Sequence, residues 1–237
     1  MNLESHVYIS KLVYNETIKI FPIHINRKLF RAGNVLSDYS PLVWTHPHYF
    51  TVSWDFFERY VDHVCRLGTE EDAIEPDLVL SFQMGIICHY ITDFFCRAHI
   101  GSGIGRKREH LQYEDFLDNY RNSIKGRLSK TDWLSDFEPC EETRDILSTL
   151  KANIEYYRDL PASPERDITM AIDNCVKVMV SIISIRLKQA VRQDLFQLHR
   201  HPQLNYELPN FSMNELFEVV MNKNYSPILA AIRIDLT

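Results

Sequence analysis

The chain is predicted to be all-α, and two observations predict it. Apolar residues recur at intervals of three and four over most of the length, the period that gathers them on one face of a helix. Only seven glycines punctuate 237 residues. The expected architecture is a multi-helix bundle forming a single domain over residues 1–237. A chain of this length can bury a substantial core.

The first helix is expected over residues 5–20 and ends at Phe21-Pro22. A short connecting segment, 24–32, then leads to the turn Gly33-Asn-Val-Leu-Ser-Asp38-Tyr-Ser-Pro41. Residues 51–67, with Trp54, Phe56, Phe57 and Tyr60, form the next helix, and the acidic stretch 69–76 breaks it. The segment 77–99 reads as one long helix, apolar nearly all round, and so buried centrally. Gly101-Ser-Gly-Ile-Gly105-Arg-Lys-Arg108 reads as a loop, and a further helix starts near Glu109. Helices follow at 141–158, 164–198 and 212–222, with Pro161-Ala-Ser-Pro164 as a helix–helix turn rather than a domain linker. The periodic face Ile172, Val176, Met179, Ile183 and Leu187 belongs to the core.

The net charge of −6 disfavours a nucleic-acid binder that works by bulk electrostatics. No run is read as reaching the roughly 20 apolar residues that span a bilayer. The start, Met1-Asn-Leu-Glu-Ser-His6, lacks a basic segment followed by an apolar one, so no signal peptide is visible. Five cysteines without regular spacing are expected to be reduced thiols in a cytoplasmic protein.

Chemistry concentrates in His89-Tyr-Ile-Thr-Asp93, His99 and His110-Leu-Gln-Tyr-Glu114. Residues four apart on a helix share a face, so each pair can aim two ligands at one point. Imidazole and carboxylate are the ligands zinc takes at hydrolytic sites. Burying such groups costs several kcal/mol each unless they are paired or bind a metal. Alone, a His–Asp pair also reads as an intrahelical salt bridge, and a buried histidine as a hydrogen-bonded core residue. A second pair just beyond a short loop favours metal. Cys96 reads as a structural thiol, Arg106-Lys-Arg108 as a solvated loop, and His199-Arg-His201 as surface. His24 and His63 read as structural or exposed, His46 as a solvated loop residue, and Trp44 and Tyr49 as core or, near a site, as stacking platforms.

These motifs resemble the zinc-dependent phospholipase C family of bacteria, the phosphatidylcholine-hydrolysing type, which is related to fungal single-strand-specific zinc nucleases. The family pattern is a first-helix histidine, an aspartate turn with a following histidine, His-x-x-x-Asp, a histidine, and His-x-x-x-Glu. Here Ser5-His6-Val7, Gly33 to Asp38 with His48-Tyr49, His89 to Asp93, His99 and His110 to Glu114 match it. The resemblance covers about residues 5–115 and implies two or three Zn²⁺ ions. By it, Asp38, His48, His89 and Asp93 hold the first, and His99, His110 and Glu114 the second. His6 with a bridging Asp93 holds the third. One departure stands out. In secreted members the free amine of the mature N-terminal residue is also a ligand, and here five residues precede His6, leaving the third site without an obvious one.

The implied activity is phosphodiester hydrolysis by a metal-bound hydroxide, with Asp38 orienting or deprotonating the water and a phosphodiester, a phospholipid first among them, as substrate. Zinc suits this because it brings the pKa of bound water towards about 7. Alternatives are a zinc nuclease or soluble phosphodiesterase, with nucleic acid disfavoured by charge, and a non-catalytic metal-stabilised helical binding domain.

Overall fold

The central element is α5 (Pro76–Phe94), in which Met84, Ile87, Cys88, Tyr90, Ile91 and Phe94 are fully buried. The computed structural model describes residues 1–20, 25–40, 42–66, 76–100 and 107–199. Around α5 stand α1 (Leu3–Ile20), α2 (Arg27–Leu36), the one-turn α3 (Leu42–Thr45), α4 (Phe50–Arg66), α6 (Lys107–Leu128), α7 (Thr143–Asp159) and α8 (Pro164–His199). Two 3-10 turns, Ser37–Tyr39 and Arg97–His99, complete the path. Among the described residues there is no strand, and the all-α expectation holds.

Aromatic packing joins α4 to α5. Phe50, Trp54 and Phe57 meet Phe94 with ring centroids 5.7, 6.3 and 5.2 Å apart. On the other side α8 buries Ile172, Val176, Met179 and Ile183, the face its spacing predicts. The stretch Pro164–Ala190 of α8 is, against the sequence reading, long and apolar enough to cross a membrane. Here 78% of that window is buried inside the fold.

Two boundaries differ from expectation in ways that matter. Residues 24–32 were expected to be a connecting segment, but α2 begins at Arg27. The Asn26 side chain caps it, accepting from the N–H groups of Lys28 and Leu29 at 3.1 Å each. Gly33 and Asn34 thus belong to this helix rather than to a turn. The second difference lies at the end of α5, which stops at Phe94 instead of continuing to residue 99. Cys96 is extended (φ −107°, ψ 123°), and His99 closes a 3-10 turn. The expected helix 212–222, most of the acidic stretch 69–76, residues 101–106 of the expected loop 101–108 and Phe21-Pro22 lie outside the described residues, and Lys107 and Arg108 of that loop instead open α6.

Helices α2 and α5 cross at backbone contact. A Cβ added to Gly33 would land on the carbonyl oxygen of Phe82, and one added to Gly85 on that of Phe30. This crossing sets Asn34 of α2 against His89 of α5. Gly85→Ala should therefore destabilise the chain by about 1–3 kcal/mol or more, since the obstruction is backbone and cannot rotate away. A urea midpoint equal to wild type would show that the helices can part without cost.

Candidate metal centre

Asp93 sits in the last turn of α5 with 1% exposure, and three other elements converge on it. His48 Nδ1 and His89 Nε2 lie 3.2 and 3.3 Å from its Oδ2. His6 Nε2, from α1, lies 3.3 Å from Oδ1, and His99 Nε2 lies 3.9 Å from it. Ligand atoms of Asp38, His48, His89 and Asp93 all fall within 4.8 Å of one another. Within this cluster His89 Nε2 and His48 Nδ1 approach to 2.8 Å, and Asp38 Oδ1 is 3.3 Å from His48 Nδ1.

A second cluster adjoins the first. Cys96, His99 and Glu114 also present atoms within 4.8 Å of one another. Glu114 Oε1 is 3.0 Å from His99 Nε2 and 3.1 Å from His110 Nε2, the i,i+4 partner on α6. The fold therefore brings all eight residues expected from sequence to one place. The Met1 amine also reaches these carboxylates. It ion-pairs with Asp93 and lies 3.2 Å from Glu114 Oε1 and 3.4 Å from His99 Nε2. No motif marks that amine. Its place follows from the anchoring of α1, where Asn2 Oδ1 accepts from Ser5 N–H at 3.1 Å and Ser5 Oγ donates to Asp118 at 3.2 Å.

Backbone carbonyls fix two of the imidazoles. His89 Nδ1–H donates to the Asn34 carbonyl at 2.6 Å, and His99 Nδ1–H to the His48 carbonyl at 3.1 Å. A carbonyl only accepts, so in both rings Nε2 is left with its lone pair turned towards the carboxylates. The Asn34 side-chain amide meets His6 Nδ1 at 3.1 Å, and the His6 ring stacks on His89 at 4.2 Å. His48 is reversed, with Nδ1 inward.

The electrostatics follow from burial and convergence. Burial opposes charge on His48, but its bonds to Asp38 and Asp93 outweigh this and push its pKa up to about 9. Burial, then the neighbouring His6, holds His89 well below the ordinary histidine value. Burial would raise the Asp93 pKa, yet His99, the Met1 ammonium, His6 and His89 hold it well below the carboxylate range. Glu114 is likewise lowered against burial, by its close contacts with His110 and His99. The Met1 amine, although buried, is raised well above its usual value by Asp93, Cys96 and Glu114. Each cluster thus holds a proton-bearing nitrogen where its carboxylates converge, and a divalent cation would be satisfied by the same donors. Burial pushes the Cys96 thiol up to about 12.

Residues set aside from the site fall variously. His46 lies in a loop as expected, half-buried, with its ring stacked on Phe56 at 4.0 Å. His63 is exposed. Trp44 is 89% exposed, against the expectation of core packing, while Tyr49 lies 5.5 Å from the His99 ring. His24, Arg106, His201 and the side chain of His199 lie outside the described residues.

Helices that aim imidazoles and carboxylates at two adjoining points have the form of a metal-dependent hydrolase site. A family model described as zinc dependent phospholipase C matches residues 5–159, and the chain belongs to that family. Searches of curated proteins and of solved structures found no match.

The His48 shift carries a pH dependence for chelator-treated protein. A histidine raised in the folded state contributes stability that is full below its ordinary value of about 6.5. That contribution disappears as pH rises through about 9. The urea midpoint of chelated protein should therefore fall between those limits. Asp38→Asn should flatten the fall by removing one of the two carboxylates responsible; an unchanged slope in that variant would refute the assignment.

Proposed function

We propose that this protein is a zinc-dependent phosphodiester hydrolase of phospholipase C type, acting on a phospholipid-class substrate. In this reading Asp38, His48, His89 and Asp93 hold one zinc, and His99, His110 and Glu114 a second. Asp93, bridging from the first, serves a third with His6. The observation that carries the reading is the 2.8 Å approach of His89 Nε2 to His48 Nδ1 between two carboxylates. Two inward nitrogens that close repel unless a proton or a metal cation lies between them.

Zinc held there supplies Lewis acidity towards a phosphoryl oxygen and makes water acidic enough to act as a nucleophile near neutral pH. The chain's own groups then divide the remaining tasks. Asp38, with its side chain 35% exposed, is the one member of the first cluster open to solvent, and its carboxylate orients the attacking water and accepts its proton. His89 and His99 are held by carbonyls, so their inward nitrogens need no reorganisation as charge develops. Tyr39 and Trp44, close in sequence to Asp38, are exposed aromatics of the kind suited to a lipid headgroup region.

Purified protein should contain at least two zinc ions per chain by elemental analysis and should hydrolyse p-nitrophenylphosphorylcholine. Chelation should abolish turnover and lower the melting temperature. Zinc at about 100 times its Kd should return roughly 2.7 kcal/mol. Asp38→Asn should lower kcat by about 10²–10⁴-fold. Less than one zinc in a fully helical protein would sink the metal reading. Turnover of bis-p-nitrophenyl phosphate without the choline ester would move the substrate class from phospholipid to nucleotide-like diester.

A further inference from the structure

Asp167 is buried at 0% exposure in the first turn of α8, past the last residue that the family model matches. Its carboxylate accepts three hydrogen bonds, all from neutral donors. Tyr157 OH of α7 donates to Oδ1 at 2.6 Å, Tyr113 OH of α6 to Oδ2 at 2.8 Å, and the Arg97 backbone N–H to Oδ2 at 2.9 Å. The Arg97 guanidinium turns elsewhere, donating to the carbonyls of Arg158 and Leu160 at the end of α7.

The third of those bonds falls on the turn that carries His99. Arg97 is the first residue of the 3-10 turn Arg97–His99, and Cys96, the residue before it, gives no side-chain cap. A short 3-10 turn has poor internal hydrogen-bond geometry, and its first N–H groups need an outside acceptor. Inside the turn are only the bonds His99 N–H to Cys96 O at 2.8 Å and Ile100 N–H to Arg97 O at 3.4 Å. Asp167 therefore stands in, from another helix, for the missing cap. Tyr113, which donates to the same oxygen, immediately precedes Glu114 on α6.

We infer that Asp167 is a positioning residue for the second metal subsite. It fixes the His99 turn through the Arg97 N–H, and fixes α6 beside Glu114 through Tyr113. The inference rests on the metal reading above and extends the site's support into α8. A side chain that acts through its neighbour in this way typically alters metal affinity by about 10–100-fold.

The test uses the full chain, with zinc measured by competition against chelators of graded strength. His48→Ala and His110→Ala serve as controls that assign the first and second subsites. Asp167→Ala should weaken zinc at the second subsite by about 10–100-fold and leave the first within about threefold. Asp167→Asn, which keeps an acceptor oxygen in place, should recover much of the loss. In chelator-treated protein, amide exchange at residues 97–99 should quicken in Asp167→Ala relative to wild type. Equal weakening at both subsites, in Asp167→Asn as in Asp167→Ala, would make the role a general structural one and overturn the inference. Wild-type zinc affinity or wild-type exchange at Arg97 in Asp167→Ala would overturn it too. Wild-type protein without zinc would remove the metal reading and this inference together, whereas zinc-replete wild type with an indifferent Asp167→Ala removes only the inference.

Discussion

Asp93 is a buried carboxylate held in its ionised form at the end of a largely apolar helix, and the arrangement around it is a response to that burial. A charge removed from water must be answered by partners nearby, and taking away one partner of a buried pair costs about 3–5 kcal/mol. The partners come from α1, from the segment before α4, from α5 itself and from the turn after it. Each arrives on a different element, so the bundle has to close for the charge to be met. Closure then leaves several lone pairs aimed inward at neighbouring points, an arrangement that suits a metal ion better than a single ion pair.

Much of this was legible in the sequence because helices report their own faces. The pairs His89–Asp93 and His110–Glu114 could be read directly from their four-residue spacing, and the burial of α5 from its apolar run. What the sequence hid was tertiary. Gly33 and Asn34 are poor helix formers and looked like a turn, yet the helix is kept because a glycine is what the crossing with α5 demands. The Asn26 cap was the available clue. The stop at Phe94 had no comparable clue. No proline or glycine follows it, and the acceptor for the first N–H of the next turn is Asp167, seventy residues away. The Met1 amine enters the site through the folding of α1 and carries no motif.

The two clusters differ in how they are held. The first takes His89 and Asp93 from α5, with His89 oriented by the α2 carbonyl of Asn34, and adds Asp38 from a 3-10 turn and His48 from the segment before α4. The second uses a side chain from a three-residue turn and two from the first part of α6. Its geometry depends on hydrogen bonds supplied by α7 and α8. Asp93 lies near both, 3.2 Å from His48 Nδ1 and 3.9 Å from His99 Nε2.

The glycine contact between α2 and α5 has a consequence for how such a sequence can drift. Most core positions change in pairs, one residue growing while its neighbour shrinks, because total volume is what packing conserves. Here each glycine faces the other helix's backbone, and its counterpart is already the smallest residue there is. No compensating reduction exists on either side. Gly33 and Gly85 are therefore isolated from the exchanges that let the rest of the core vary, and a lineage that alters one has to move a helix, and with it the carbonyl that orients His89.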